Sequence, residues 1–261
     1  MPERFAGKRA VVSGASKGIG KAVALRLARE GADLALLARS AGTLGAVAGE
    51  ITALGRRAEV VAGDLRGLET CVAAAKQARE ALGGVDIFVH CAGATKGGLF
   101  MELEDAVWED GFALKFSAAV RLTREFWPSL AENKGSVVNI VGGFARTPDP
   151  DFMIGGAVNA ALANFTKALA GLGKRDDVNV NAIHPGMTVT ERLTEILQTE
   201  AQRSGESLAE VEARKVKAEG IRRLGQPEDV AALVAYLCSA EARHVQGVAI
   251  SIDGGATAGV Y

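Results

Sequence analysis

The chain has 261 residues, of which 48% are hydrophobic, and its 30 Lys and Arg residues nearly balance its 31 Asp and Glu residues. This length and hydrophobic content predict one globular domain with a sizeable core. The formal charge of −1 leaves no basic excess to neutralise phosphates, so the composition excludes a general nucleic-acid or anionic-membrane surface.

Cysteine usage and the N-terminus bear on the cellular compartment. Cys71, Cys91 and Cys238 are too few and too scattered for a disulfide framework or a four-ligand zinc site, so no metal site is predicted. Reduced cysteines are typical of a cytosolic protein. Residues 1–8 contain no apolar signal segment, and no stretch of about 18 apolar residues is free of charge. We therefore expect an unprocessed cytoplasmic protein without a membrane partner.

Seven short runs rich in branched residues are predicted as strands, at 9–13, 33–37, 58–62, 86–90, 136–140, 178–183 and 248–252. Longer segments with apolar residues at helical spacing separate them, including 21–29, 71–82, 104–130 and 157–172. This alternation predicts an α/β fold: a single Rossmann-type doubly wound domain with a seven-stranded parallel sheet and helices on both faces. The strongly charged stretch 190–225 is predicted to be a helical insertion that covers the substrate.

A glycine-rich turn joins the first predicted strand to the first helix. Gly14 permits a sharp turn, Gly18 lets the backbone approach a pyrophosphate, and Gly20 lets helix and strand pack closely. The N-terminus of the following helix offers unpaired N–H groups and positive potential to an anion. Taken alone, the motif is a weak signal, because a glycine-rich turn that binds no ligand is the alternative.

Further motifs follow in a fixed order along the chain. The turn 90–93 ends the fourth predicted strand, 181–186 ends the sixth, and 226–230 and 253–255 lie closer to the C-terminus. Together with the glycine loop, this order resembles the short-chain dehydrogenase/reductase family over essentially the whole chain. The first two residues of 90–93, His and Cys, depart from the Asn-Asn-Ala-Gly turn of that family.

The resemblance implies which residues bind a dinucleotide and how subunits assemble. The residues expected to bind the cofactor are Gly14, Ser16, Lys17, Gly18, Ile19, Gly20, Arg39, Ser40, Asp64, Leu65, Ala92, Gly93, Pro185, Gly186 and Thr190. In the family, helices equivalent to those within 104–130 and 157–172 pair between subunits. We therefore expect a homotetramer or a homodimer.

The residues after the second predicted strand bear on the choice of nicotinamide cofactor. NAD-selective members of the family place an acidic side chain there, whereas this chain has Ala38 followed by Arg39 and Ser40. A guanidinium binds a 2′-phosphate through a fork of donors, the Ser40 hydroxyl adds another donor, and Lys17 adds a second cation. We expect NADP(H) to be preferred over NAD(H). The alternative is that Arg39 and Lys17 are ordinary solvated charges.

The catalytic positions implied by the resemblance are all substituted. The family uses Asn, Ser, Tyr and Lys, and its Tyr transfers a proton after the neighbouring ammonium has acidified the phenol. In this chain the corresponding residues are Lys115, Gly142, Gly155 and Asn159. Neither Gly155 nor Asn159 can transfer a proton in this way. The small side chains also predict a crevice that is roomier than in the relatives.

Two ionisable side chains are candidates for the missing catalytic group. Lys115 is expected beside the nicotinamide, where an ammonium donates a proton, loses one or binds a substrate anion. His184, at the end of the sixth predicted strand, is expected to point toward the crevice and has a pKa suited to proton transfer. A structural role for His184 is the alternative.

Other polar residues near the expected site have less specific interpretations. Asp149 and Asp151 flank a proline after the fifth predicted strand and are either counter-charges for a substrate or turn residues. Tyr236 lies in an apolar helical pattern and is predicted to be core. Tyr261, the last residue, contributes to a site only if the tail folds into it.

Two functional classes remain open. One is an NADP(H)-dependent oxidoreductase that acts on a small molecule with an altered acid, or on a substrate such as an iminium ion or a polarised alkene. The other is a catalytically inactive NADP(H)-binding pseudoenzyme or sensor. The glycine loop fits both classes and does not discriminate between them. A non-redox lyase is disfavoured because it has less need for the phosphate-selective pair Arg39 and Lys17.

Overall fold

A computed structural model describes residues 3–259. Its centre is a parallel sheet with the strand order β3-β2-β1-β4-β5-β6-β7. The strands are β1 (Arg9–Ser13), β2 (Asp33–Ala38), β3 (Ala58–Ala62), β4 (Ile87–His90), β5 (Ser136–Ile140), β6 (Asn179–Pro185) and β7 (Ala249–Ile252). The seven predicted strands and the predicted doubly wound fold are confirmed.

Helices connect the strands and cover the sheet. They are α1 (Gly18–Arg29), α2 (Ala41–Ala53), α3 (Leu68–Leu82), α4 (Asp105–Phe112), α5 (Ala118–Glu132), α6 (Met153–Asp176), α7 (Glu191–Ser204), α8 (Leu208–Ala218) and α9 (Pro227–Leu237). Parallel strands need crossover connections of this length, because a tight turn cannot return the chain to the same edge of the sheet.

The core lies on both faces of the sheet. Successive side chains of a strand point to opposite faces. In β1, Ala10 and Val12 pack in the cluster that contains α1, α2 and α9, whereas Val11 packs in the cluster that contains α3 and α5. All three side chains are fully buried. Strand β1 is therefore continuously apolar between Arg9 and Ser13, and its polar side chains are confined to its two ends.

The segment 104–130, predicted to be helical, has an irregular turn in its middle. The structure has α4 and α5 separated by a π-helical turn at Ala113–Ser117. Within this turn, the backbone carbonyl of Lys115 lies 3.1 Å from Nε2 of the buried His90. A hydrogen bond from another element to a backbone carbonyl of a helix is associated with a wider turn at that point. The sequence does not reveal this turn, because the helical spacing of apolar residues continues through it.

Helix α6 is longer than the predicted segment 157–172. It begins at Met153 and includes Gly155 and Gly156, which in the sequence resemble a helix-breaking pair. Tertiary packing overrides that preference, since both glycines are buried.

The prediction that Tyr236 is a core residue is wrong, because 37% of it is exposed on α9. Tyr261 lies outside the described residues.

The charged stretch 190–225 is helical and has a small apolar core of its own. It contains α7 and α8, whose buried residues Leu197 and Val211 pack with Leu224. A bridge between Thr188 and Gly225 closes its base on the main domain. Its role as a substrate lid stays a prediction.

Within residues 3–259, no helix combines the length and the apolar character needed to cross a bilayer.

Candidate active site

The carboxyl ends of β1 and β4 open onto a crevice, at the point where the strand order reverses. The cavity has a volume of about 470 Å³. Its lining consists of Gly14, Ser16, Lys17, Gly18, Ile19, Gly20, Ala38, Arg39, Ser40, Thr43, Gly63, Leu65, Cys91, Ala92, Gly93, Ala94, Leu114, Thr190, Glu191 and Arg192. Among the predicted cofactor residues, which all lie in the described part of the chain, Asp64, Pro185 and Gly186 are absent from this lining.

The glycine loop is packed too tightly for side chains. Gly14 has φ +69°, and a Cβ there would lie 2.8 Å from the backbone nitrogen of Ala92. A Cβ on Gly20 would overlap the carbonyl of Gly14. Helix α1 begins without a side-chain cap from Lys17 and has no acidic residue in its first turn. Its free N–H groups therefore fit the diphosphate of a dinucleotide.

The far end of the crevice carries exposed positive charge. Arg39 and Lys17 are both exposed, and neither forms an ion pair with a carboxylate within residues 3–259. Ser40 caps α2 by accepting from the Thr43 backbone N–H at 3.4 Å. Its hydroxyl proton stays available as a donor. This group of donors fits a phosphate on the adenosine ribose and contains no acidic side chain that would repel it.

Two predicted cofactor residues have structural partners instead of facing the crevice. Asp64 accepts from Nη1 of Arg66 at 3.2 Å, and the same guanidinium also binds Asp110 through Nη2 at 3.1 Å. Gly186 packs against the turn at Asp253, where a Cβ on the glycine would lie 2.7 Å from Cβ of the aspartate. In this structure both residues hold the loops that surround the crevice.

His90 replaces the first asparagine of the family turn and is part of a buried network. Its Nδ1 lies 2.9 Å from the Ser13 hydroxyl and its Nε2 lies 3.1 Å from the Lys115 carbonyl oxygen. Because a carbonyl oxygen only accepts, Nε2 carries the ring proton and Nδ1 accepts from Ser13. Burial lowers the pKa of His90 to about 4, so the ring is neutral at physiological pH. The network joins β1, β4 and the π-helical turn.

Lys115 lies behind the crevice wall, against the lining residue Gly93, and is not itself among the lining residues. Its side-chain methylenes pack against Gly93, where even a Cβ would come within 2.9 Å of the Lys115 Cδ. Its Nζ donates to the backbone carbonyl of Val141 at the end of β5. Burial, with a smaller contribution from the guanidinium of Arg192, lowers the pKa of Lys115 to about 8. A lysine held in this way transfers a proton more readily than an ordinary surface lysine.

The expected extra room at the substituted catalytic positions is not present in the structure. A Cβ on Gly155 would overlap the ring of Phe152. That ring packs on Phe144, with ring centroids 4.9 Å apart. The space beside the glycine is therefore filled by an aromatic side chain from the preceding short helical turn. The prediction of a roomier crevice is wrong at this position, because a neighbouring ring replaces the missing side chain.

The other two substituted positions contact each other. The amide of Asn159 lies against Gly142, where a Cβ on the glycine would be 2.7 Å from Nδ2. Gly142 has φ +145°, a conformation that other residues rarely adopt. Asn159 is 3% exposed, and its Oδ1 has no hydrogen-bond partner within the described chain. A serine at 142 and an asparagine at 159 would therefore compete for the same space.

The remaining candidate polar residues are held by backbone contacts. His184 is 1% exposed and does not line the crevice; its Nδ1 donates to the carbonyl of Gly142 at 2.8 Å, and burial lowers its pKa. Asp149 accepts from the backbone N–H of Asp151 at 2.7 Å, which closes the short helical turn before α6. This geometry fits the interpretation of these aspartates as turn residues. The catalytic role of His184 stays a prediction.

Sequence reasoning missed the start of α7 as part of the site. Glu191 and Arg192 line the crevice directly after the predicted residue Thr190. Arg192 reaches across the opening, where its Nη2 donates to the carbonyl of Thr95 at 2.8 Å. No motif marks these residues. The alternation of acidic and basic residues in 190–225 gave no signal, because it is also typical of a solvated helix face.

Comparison with known proteins gives matches along nearly the whole chain. Residues 14–257 match the family model described as enoyl-(acyl carrier protein) reductase. An uncharacterized oxidoreductase from Mycobacterium tuberculosis is 36% identical over 256 residues, which is 97% of this chain and 94% of that protein.

Solved structures resemble the fold closely. L-sorbose reductase from Gluconobacter frateurii, complexed with NADPH and L-sorbose, has a TM-score of 0.96 and 31% sequence identity, with 100% of each chain covered. A short chain dehydrogenase from Burkholderia cenocepacia in complex with NADP has a TM-score of 0.86 and 33% identity, covering 97% of this chain and 99% of that one.

Proposed function

Because the chain belongs to the short-chain dehydrogenase/reductase family, we propose that it is an NADP(H)-dependent oxidoreductase in which the ammonium of Lys115 takes over the role of the tyrosine phenol. The observation that carries this proposal is the packing of the Lys115 side chain against Gly93 of the crevice lining, together with a pKa lowered to about 8. Perturbed titratable groups in a cleft are typical of catalytic acids and bases.

The preference for NADP(H) is supported by the charges at the adenosine end. Lys17 and Arg39 line the crevice there, and the chain has Ala38 where a carboxylate would repel the 2′-phosphate. Two of the structural neighbours, from Gluconobacter frateurii and Burkholderia cenocepacia, were solved with NADPH or NADP.

The proton chemistry follows from the contacts of Lys115. A bound reduced nicotinamide supplies hydride to an electrophilic carbon of the substrate. One ammonium N–H of Lys115 is donated to Val141, so two remain for a substrate atom. A pKa of about 8 keeps the group largely protonated at neutral pH and still makes it a better acid than a free lysine. Lys115 therefore donates the proton that follows hydride addition.

The same geometry disfavours the oxidation of simple secondary alcohols near neutral pH. Gly155 and Asn159 supply neither the phenol nor the ammonium, and a protonated Lys115 cannot accept the hydroxyl proton. Loss of a positioned base forfeits about 100-fold to 10,000-fold in rate. Reduction of a carbonyl, an iminium ion or a polarised alkene needs a proton donor instead, which Lys115 provides.

The decisive variant is Lys115→Met, assayed with NADPH on a panel of carbonyl, imine and polarised-alkene substrates. We expect turnover to fall at least ~100-fold, with the Kd for NADPH changed by less than about twofold because the cofactor donors are untouched. The wild-type rate should be constant below a pH of about 8 and fall above it, since the ammonium then loses its proton. Lys76→Met, on the exposed face of α3, is the matched control.

Three other results would change this assignment. Unchanged turnover in Lys115→Met would exclude Lys115 as the proton donor and shift attention to His184. NADPH binding without turnover of any substrate by the wild type would favour the pseudoenzyme. Efficient oxidation of simple secondary alcohols at neutral pH would contradict the altered proton chemistry.

A further inference from the structure

The surroundings of Lys115 are unusual in their charge. Within the described chain, the titratable groups that interact electrostatically with it are Cys91, His90, His184 and Arg192. Burial raises the pKa of the Cys91 thiol and lowers the pKa of both histidines, so these three groups are neutral at physiological pH. The charged neighbour of the Lys115 ammonium is therefore a second cation.

That second cation is held over the crevice by a backbone contact. Arg192 lies in the first turn of α7, and its Nη2 donates to the carbonyl of Thr95 in the loop after β4 at 2.8 Å. This bond joins the first turn of α7 to the loop after β4. It uses one of the five guanidinium N–H donors and leaves the others for a ligand.

Neither cation is neutralised by a side chain. Within residues 3–259, Lys115 and Arg192 form no ion pair with a carboxylate. Glu191 also lines the crevice, but its carboxylate lies toward the glycine loop, 3.5 Å from where a Cβ on Gly18 would be. Two like charges in a partly desolvated cleft repel each other. An anion between them is attracted to both and accepts a charge-assisted hydrogen bond from each.

The position of the pair distinguishes it from the diphosphate site. Free N–H groups at the start of α1, beside Gly14 and Gly18, already provide donors for a diphosphate. Lys115 lies instead at the end of β5, against Val141 and beside Gly93 on the other wall of the crevice. An anion held there is next to the proposed proton donor and belongs to the substrate.

We infer that Lys115 and Arg192 together bind a carboxylate of the substrate, which is an oxo acid with its reacting carbonyl next to that carboxylate. This inference rests on the proposed function. Hydride from the reduced cofactor adds to the carbonyl carbon, the proton of Lys115 goes to the carbonyl oxygen, and the product is the hydroxy acid. The carboxylate stays bound to Arg192 and is chemically unchanged.

The test compares 2-oxo acids with their methyl esters, using wild type, Arg192→Met and the control Arg203→Met. Arg203 is an exposed arginine on the same helix. We expect Arg192→Met to raise KM for the acids about 10-fold to 100-fold. KM for the esters and the Kd for NADPH should each stay within about twofold of the wild-type value. Arg203→Met should change none of these values. Arg192→Lys should retain part of the discrimination, because it keeps the charge but loses the fork of donors.

Binding without turnover separates this inference from the proposed function. Oxamate, an unreactive analogue of a 2-oxo acid, is titrated by calorimetry into the NADPH complex of each variant. Binding that is lost in Arg192→Met supports the anion pair even if no substrate turns over. Equal loss of NADPH and oxamate affinity would show that Arg192 binds the cofactor diphosphate and would overturn the inference. Equal use of acids and esters by the wild type would also overturn it, while leaving the oxidoreductase function intact.

Discussion

At the residue scale, the chemistry of the crevice depends on a few charges whose surroundings differ. Lys17 and Arg39 are exposed, so solvent screens them, and the proposed function makes them adaptable partners for a phosphate. Lys115 is half-buried beside Arg192, and this environment lowers its pKa to about 8. The proposed function therefore assigns the same type of charge to binding at one end of the crevice and to proton transfer at the other.

Cofactor selectivity is a residue-scale prediction. Arg39→Ala removes the guanidinium that faces the adenosine end, so NADPH binding should weaken by about 1.5–3 kcal/mol while NADH binding barely changes. The measurement is the ratio of the two dissociation constants by fluorescence titration. Arg29→Ala, at an exposed position in the last turn of α1, should leave the ratio unchanged. Equal weakening of both cofactors would show that Arg39 does not bind the 2′-phosphate.

At the element scale, the packing of α6 decides the shape of the substrate side. Gly155 lets the ring of Phe152 lie directly against the helix, and Gly142 makes room for the amide of Asn159. These substitutions are coupled through space, since restoring one side chain displaces a neighbour. Replacing the catalytic residues of the family one at a time is therefore not expected to rebuild its usual site.

This packing predicts opposite effects for two glycines of the same helix. Gly155→Ala places a methyl group inside the ring of Phe152, so overpacking should destabilise the protein by about 1–3 kcal/mol. Gly171→Ala, later in α6, meets nothing within 4 Å and should stabilise by about 0.5–1 kcal/mol. Urea unfolding of both variants gives the comparison. A neutral Gly155→Ala would mean that Phe152 moves aside without cost.

At the scale of the whole molecule, the buried His90 network links the central strands to the helices that carry Lys115. The His90 ring must stay neutral so that its Nδ1 accepts a hydrogen bond from the Ser13 hydroxyl. Because burial lowers its pKa from 6.5 to about 4, the unfolded chain binds the proton more readily than the folded one between these values. The contribution of His90 is therefore fully present above pH 6.5 and is lost as the pH falls toward 4.

We accordingly expect the free energy of unfolding to decrease by about 3 kcal/mol from this group as the pH is lowered through that window. Urea unfolding between pH 7 and 4 measures the loss. His90→Asn should flatten the dependence, although it lowers the absolute stability by removing a buried contact. His244→Asn, at an exposed position, should keep the wild-type slope. An unchanged slope in His90→Asn would assign the acid sensitivity to other groups, including His184.

Several features of the fold and site were predictable because they depend on residues close together in the chain. The apolar runs and helical spacings predicted the seven strands and the doubly wound sheet. Gly14, Gly18 and Gly20 line the crevice, as their spacing predicted, whereas phosphate binding there and the catalytic substitutions at Gly155 and Asn159 stay predictions. Local geometry determines the strands and the glycine turn, so the sequence alone was sufficient for them.

The remaining features needed the tertiary structure. The ring of Phe152 beside Gly155, the guanidinium of Arg192 beside Lys115 and the hydrogen bond from His90 to the Lys115 carbonyl join residues on different elements. Periodicity says which face of an element is apolar but not which side chain of another element fills a given space. The sequence therefore determined the architecture and the glycine turn, whereas only long-range packing decided which side chains and charges surround Gly155 and Lys115.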